Sequence, residues 1–294
     1  RTLAEAGIAT ADLDARLLFR HLTGLSASDL VLRSADQVDD QVAASYRRLI
    51  GRRASRVPLH YLTGTREFWS LDFFVSPAVL IPRPETEFVL EKVLTVCRTD
   101  GPVRRALDLC TGSGVIAVVL ARELACAVTA VDISPAALAV AWENVRRHGV
   151  TDLVDPVCGD LFAPLGSGRS FDLIVSNPPY IADDQIDGLE PEVSRAEPRL
   201  ALAGGPDGLE VIRRLAQGAA DHLRPGGWLF IEIGADQEQP VRQLFLAHGA
   251  QYDRIRVIDD WSGRPVHAAM PLPSRCSASS CSTPPGSTPA TCGA

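Results

Sequence analysis

Beyond Gly101-Pro102 the chain settles into short apolar runs at residues 106–109, 127–131, 153–158, 171–175 and 228–233, each followed by a segment with helical spacing. A strand that is followed by a helix returns alongside itself in the same direction. The alternation therefore predicts an α/β fold built on a largely parallel sheet with helices on both faces. Two further runs, 254–258 and 266–270, read as strands of a hairpin at the sheet edge.

The residues ahead of this region differ in texture. Leu13, Leu17, Leu18 and Leu22 recur at helical spacing behind Thr10 or Asp12 as cap, and Val42, Tyr46, Leu49 and Ile50 repeat the pattern, so a small helical bundle is expected to run to about residue 54 and to end at Pro58. Residues 66–75 then carry aromatic and β-branched side chains in partial alternation, which predicts a hairpin bridging two domains. Pro84 suits a first helical turn, and Glu85 and Glu87 suit its positive end, so a helix is expected from there to about Cys97. Helical spacing is present by residue 3, and residues ahead of Arg1 are expected.

With 294 residues the chain has about two domains' worth of core and needs no disulfide staple. The seven cysteines are odd in number and lack C-x-x-C spacing, and no secretory signal is visible, which fits a reducing cytoplasm. No apolar run approaches the roughly 20 residues of a membrane span. A net charge of −7 argues against wrapping nucleic acid. Arg47, Arg48, Arg52, Arg53 and Arg56 read as a solvated helix face, and His60, His148, His222 and His248 as surface or helix-terminal residues without metal-ligand spacing. From 271 onward Pro, Ser, Thr and Cys predominate, and disorder is expected; Cys276, Cys281 and Cys292 are too loosely spaced for a metal site.

Three segments carry chemistry. In Asp108-Leu109-Cys110-Thr111-Gly112-Ser113-Gly114 a strand enters a small-residue turn that opens a helix, where missing Cβ atoms and free N–H groups admit a ligand. Ala117 completes a G-x-G-x-x-A spacing, so a dinucleotide site is an alternative. Asp108 disfavours it, because a buried acid there repels a pyrophosphate but complements a cationic amino-acid cofactor. S-adenosyl-L-methionine is the better ligand. Asp132, which ends the next strand, suits two ribose hydroxyls, while Ser134 before Pro135 is the better helix cap. After the third strand, Asp160 could accept from an adenine amine and Leu161 could cover the ring.

The sharpest signal is the apolar strand that stops at Asn177-Pro178-Pro179-Tyr180. Two prolines remove two N–H donors and leave carbonyls free to accept from a ligand. A planar –NH₂ can donate to the Asn177 side-chain oxygen and the Pro178 carbonyl while Tyr180 stacks on its face. The lone pair of such a nitrogen is delocalised, so catalysis consists of orienting it toward the methyl group, with no dedicated base or metal.

Together these residues resemble the class I S-adenosylmethionine-dependent methyltransferases, and within them the HemK/PrmC family that methylates glutamine in peptide chain release factors. Gly64-Thr65-Arg66-Glu67-Phe68-Trp69 and Ile81-Pro82-Arg83-Pro84-Glu85-Thr86-Glu87 separate that family from DNA adenine methyltransferases. The resemblance implies a Rossmann-like, mostly parallel seven-stranded sheet. It also implies N5-methylation of the glutamine in the Gly-Gly-Gln motif of bacterial release factors. A cytoplasmic monomer with release factors as partners, and neither membrane nor direct nucleic-acid binding, is expected. It assigns residues 1–63 to a helical docking domain, 64–82 to a hairpin linker, 83–270 to the methyltransferase domain and 271–294 to the tail. Carried onto this sequence, Cys110 to Gly114 would line the methionine part of the cofactor, Asp132 would hold the ribose, Leu161 would sit near adenine, and Asn177, Pro178, Pro179 and Tyr180 would bind the glutamine amide. Cys110 stands where the family commonly has glycine, and Leu161 where some members have an aromatic residue. A base-amine N-methyltransferase and a noncatalytic release-factor-binding module remain the alternatives, and a dinucleotide oxidoreductase ranks last.

Overall fold

The chain is described by a computed structural model covering residues 1–168, 170–247, 252, 255–259 and 265–273. His248, Cys276, Cys281, Cys292 and the tail from 274 lie outside the described residues.

Five helices open the chain: α1 (Thr2–Glu5), α2 (Ala11–Thr23), α3 (Ala27–Leu32), α4 (Asp40–Ala54) and α5 (Leu59–Thr63). Pro58 does not end the helical region as expected. Proline's fixed φ and missing N–H suit the start of a helix, and Pro58 caps α5 instead. The hairpin follows as β1 (Thr65–Phe68) and β2 (Leu71–Phe74), with Phe68 opposite Leu71. Its two turn residues, Trp69 and Ser70, both sit at φ 55°. That geometry matches the strand twist but normally takes Asn or Gly. Here the Trp69 amide donates to Glu87 (2.9 Å) and its indole N–H to Glu123 (3.1 Å), which hold the turn from both sides.

The α/β part runs α6 (Pro84–Asp100), β3 (Arg105–Leu109), α7 (Val115–Leu124), β4 (Ala127–Asp132), α8 (Pro135–Arg147), β5 (Val154–Cys158), β6 (Phe171–Ser176), α9 (Pro191–Ser194), α10 (Glu210–His222), β7 (Leu223–Glu232), α11 (Glu238–Ala247), β8 (Arg256–Asp259) and β9 (Pro265–Pro271). Sheet order is β5-β4-β3-β6-β7-β9-β8. The first five strands are parallel, and β9 and β8 add an antiparallel edge. One expectation fails: among the described residues between β5 and β6 there is no helix, only turns and bends. Val89, Val93 and Val118 pack one sheet face, Ile212, Leu215 and Phe245 the other. Because the chain runs outward from β3 to β5 and then restarts on the other side of β3, the carboxyl ends of β3 and β6 flank a topological switch point. Open α/β sheets bind ligands there.

Arg53 corrects the reading of the basic run as a solvated face. It is buried, donating to Asp14 (2.7 Å) on α2 and to Glu192 (2.8 Å) on α9, and Arg56 reaches the same Glu192 at 3.0 Å. These ion pairs join the helical bundle to the α/β part. Removing one member of a buried pair leaves a charge without a partner. Arg53→Met is therefore expected to cost about 3 kcal/mol of unfolding free energy by denaturant titration, whereas Arg47→Met on the same helix should be near neutral.

Candidate active site

The loop leaving β3 is held from beneath. Asp108 is fully buried and accepts from the Thr111 hydroxyl (2.5 Å) and the Ala117 amide (3.1 Å), which closes the loop onto the first turn of α7. Its other oxygen, Oδ1, is buried without a partner among the described residues. Burial pushes the carboxyl up to about 7, against the pull of those two hydrogen bonds. The loop takes left-handed backbone at Cys110 (φ 61°), Gly112 (φ 54°) and Gly114 (φ 80°). The positive φ at Cys110 explains in physical terms why glycine suits that position. Burial also pushes the Cys110 thiol up to about 12, so it stays protonated and acts by packing. A Cβ on Gly114 would come within 3.1 Å of Ala141, whereas one on Gly112 would meet only the Cys110 carbonyl at 4.0 Å.

Asp132 ends β4 with both oxygens engaged, accepting from the Gly112 amide (2.8 Å) and the Ser134 amide (2.9 Å). It couples the β4 end to the glycine turn, and desolvation raises its pKa. Ser134 caps α8 through its side chain, accepting from Ala137. Asp160 pairs with Arg214 (2.7 Å), and both line the same cavity; Leu161 is buried beside them at φ 50°.

Across the switch point, Asn177 follows β6. Its Nδ2 donates to the Thr86 hydroxyl (3.2 Å), which donates to Glu232 Oε2 (2.7 Å). The Tyr180 hydroxyl donates to Glu232 Oε1 (3.3 Å), and the Tyr180 carbonyl accepts from Gln237 (2.8 Å). Among the described residues no N–H donates to the carbonyls of Asn177, Pro178 or Pro179. A cavity of about 210 Å³ joins the two halves, with Cys110, Thr111, Gly112, Ser113, Asp132 and Asn177 on its wall. Pro179, Thr86 and Arg83 line it too, while Asp108, Gly114, Pro178 and Tyr180 adjoin these residues in the chain without forming part of that lining.

Comparison with known proteins places the chain. Residues 1–64 match the PrmC N-terminal domain model, and residues 86–204 match the methyltransferase small domain model. A release factor glutamine methyltransferase of Moorella thermoacetica is 47% identical over 266 residues, spanning 90% of this chain and 92% of that relative. One of Geobacter sulfurreducens is 44% identical over 248 residues, spanning 84% and 85%. This chain belongs to the release factor glutamine methyltransferase family. Among solved structures, a methyltransferase from Pyrococcus furiosus aligns with a TM-score of 0.53 at 20% identity, over 76% of this chain and 99% of that one; the likeness carries the fold. The chain is thus a methyltransferase on a class I Rossmann-like sheet, as the sequence resemblance implied.

Several residues around the site of this methyltransferase were not singled out from sequence. Thr86 lies inside the Ile81–Glu87 segment between two acids that carry the helix-end signal, and nothing in its own residue type marks it out. Glu232 ends the apolar run of β7, and an acid closing such a run is the signal that could have marked it. Asn144 is fully buried on α8, where it accepts from the Phe74 amide (2.7 Å) and donates to the Phe74 and Ser113 carbonyls (2.9 and 2.8 Å), so it ties the hairpin to the glycine turn. Glu197 is also buried, accepting from Arg83 (2.6 Å), which holds the linker against the segment after β6. His60, read as a surface or helix-terminal residue, lies in the short helix α5 and is half-buried, with its ring between the Thr65 carbonyl and Arg66.

Desolvation raises Glu232 to about 7, although the side chains of Thr86, Tyr180 and Asn177 donate to it. A carboxyl with a raised folded-state pKa contributes stability that is complete below the ordinary glutamate value and lost as pH rises through about 7. Glu232→Gln escapes that loss. Its unfolding free energy relative to the parent should rise between mildly acidic and mildly alkaline pH by on the order of 2 kcal/mol. A difference that stays flat with pH would contradict the shift.

Proposed function

We propose that this methyltransferase transfers a methyl group from S-adenosyl-L-methionine to the N5 nitrogen of the glutamine in the Gly-Gly-Gln motif of bacterial peptide chain release factors. One observation carries the reading: the small-residue loop after β3 and the Asn177-Pro178-Pro179-Tyr180 corner after β6 flank one cavity at the switch point.

The residues fit the cofactor. A buried Asp108 oxygen without a partner suits a cationic amino group, and Gly112 leaves open the space that a Cβ would take. Cys110, Thr111, Gly112, Ser113 and Gly114 would hold the methionine part, Asp132 the ribose hydroxyls, and Asp160 with Leu161 the adenine. When bound, the sulfonium supplies an electrophilic methyl group.

The chain's own residues then handle the acceptor. An amide nitrogen is a weak nucleophile because its lone pair is delocalised into the carbonyl. With its Nδ2 committed to Thr86, Asn177 turns Oδ1 the other way, where it accepts one substrate N–H. The Pro178 carbonyl, free of any backbone donor, accepts the second. Tyr180 covers the amide plane from a ring fixed by Glu232. Two hydrogen bonds and one stacking face set the nitrogen's direction, and orientation of this kind is worth several orders of magnitude in rate. A Gln lacking its partner acceptors would stay planar and misaimed.

In this reading residues 1–63 dock the protein substrate, 64–82 link, and 83–270 carry the chemistry. The Arg53 and Arg56 pairs to Glu192 support a fixed docking arm. One chain suffices for the cavity, in keeping with a monomer, and the cytoplasm is where its substrate acts. No helix among the described residues is long and apolar enough to cross a membrane. Peptide mapping by mass spectrometry tests the reading: release factor incubated with enzyme and cofactor should gain one methyl mass on the Gly-Gly-Gln peptide, localised by fragmentation to the glutamine. A methyl group elsewhere on the protein would overturn it.

A further inference from the structure

Asn177 can orient a substrate amide only if its own amide faces the right way, and the two ends of that group are nearly the same shape. The direction is set by what lies behind it. Thr86 occupies the third position of α6, Glu232 the last of β7, and Asn177 the first after β6, so three separate elements meet at one point. Both Thr86 and Glu232 are about 2% exposed, and Thr86 borders the cavity from its wall.

We propose that Glu232 is a positioning residue for methyl transfer, acting both directly on the Asn177 amide and through Thr86 to hold Asn177 with its oxygen toward the substrate. The argument is one of donor and acceptor counting. A carboxylate only accepts, so the Thr86 hydroxyl must spend its single proton on Glu232 at 2.7 Å. Its oxygen can then only accept from Asn177, which obliges Asn177 to present Nδ2 at 3.2 Å and leaves Oδ1 for the acceptor amide. The second Glu232 oxygen accepts from Tyr180, so one carboxylate orders both the hydrogen-bonding and the stacking sides of the glutamine site. This relay rests on the acceptor role given to Asn177 above.

The test compares Thr86→Val, which keeps the shape and deletes the hydroxyl, with Thr86→Ser, which restores the hydroxyl on a smaller side chain. Both are assayed on intact release factor at alkaline pH, where Glu232 is ionised, beside calorimetric titration of the cofactor. Thr86→Val is expected to lower kcat roughly ten- to a hundredfold with cofactor Kd unchanged to within about twofold, and Thr86→Ser to recover most of the kcat. Near-parental kcat in Thr86→Val, or equal losses in both variants, would overturn the relay while leaving the functional reading intact. An unlabelled release factor with the parent enzyme would overturn the functional reading and the relay with it.

Discussion

Asn177→Ala is expected to lower methyl transfer by roughly two to three orders of magnitude while cofactor affinity stays within about twofold of the parent. The asymmetry follows from where the side chain stands. Asn177 leaves the end of β6, faces the cavity, and has its nitrogen committed to Thr86. Its oxygen is the acceptor that no other described residue uses, so its loss falls on the reacting nitrogen. The loop and Asp132, which would hold the cofactor, come from β3 and β4 and keep every hydrogen bond they have. Calorimetric titration beside a methyl-transfer assay checks both halves. Turnover close to the parent's would remove Asn177 from the mechanism, and a parallel collapse of binding would make it a cofactor ligand first.

The second large effect is expected at Asp108. Alanine there strips the Thr111 hydroxyl and the Ala117 amide of their shared acceptor in a fully buried setting. Each orphaned group costs about 1–3 kcal/mol, so a loss of about 3 kcal/mol in stability is expected together with a cofactor Kd raised at least roughly tenfold. Asp108→Asn separates the two roles. The amide retains one oxygen to accept from the loop but replaces the free carboxylate oxygen with a donor, which faces a cationic amino group badly. The asparagine variant should therefore keep most of the stability and still bind the cofactor weakly. Parental affinity in that variant would reduce Asp108 to a scaffold for the loop.

The sheet was legible because each buried strand is a short apolar run closed by small residues or an acid, and the strand ends are where chemistry concentrates in this architecture. Gly112, Gly114, Asp132 and the proline corner are local signals, readable within a few positions. The Glu232, Thr86 and Asn177 chain was not legible, because its members lie 146 and 91 positions apart and their types are ordinary in isolation. The same holds for Arg53, whose partners Asp14 and Glu192 are 39 and 139 positions away. A run of arginines looks the same in sequence whether it faces water or two buried carboxylates. Pro58 and the described stretch between β5 and β6 depart from the sequence expectation for a different reason. Proline ends one helix and starts the next with equal ease, and a long turn between strands leaves no periodic trace.

One measurement reaches the central claim most directly: transfer of labelled methyl from S-adenosyl-L-methionine to three acceptors offered separately, namely intact release factor, the same protein with its Gly-Gly-Gln glutamine changed to alanine, and duplex DNA. Label on the intact factor alone is the expected result. Label that survives the glutamine change would place the acceptor elsewhere on the protein, and label on DNA would mean that Asn177-Pro178-Pro179-Tyr180 grips a base amine instead of a side-chain amide.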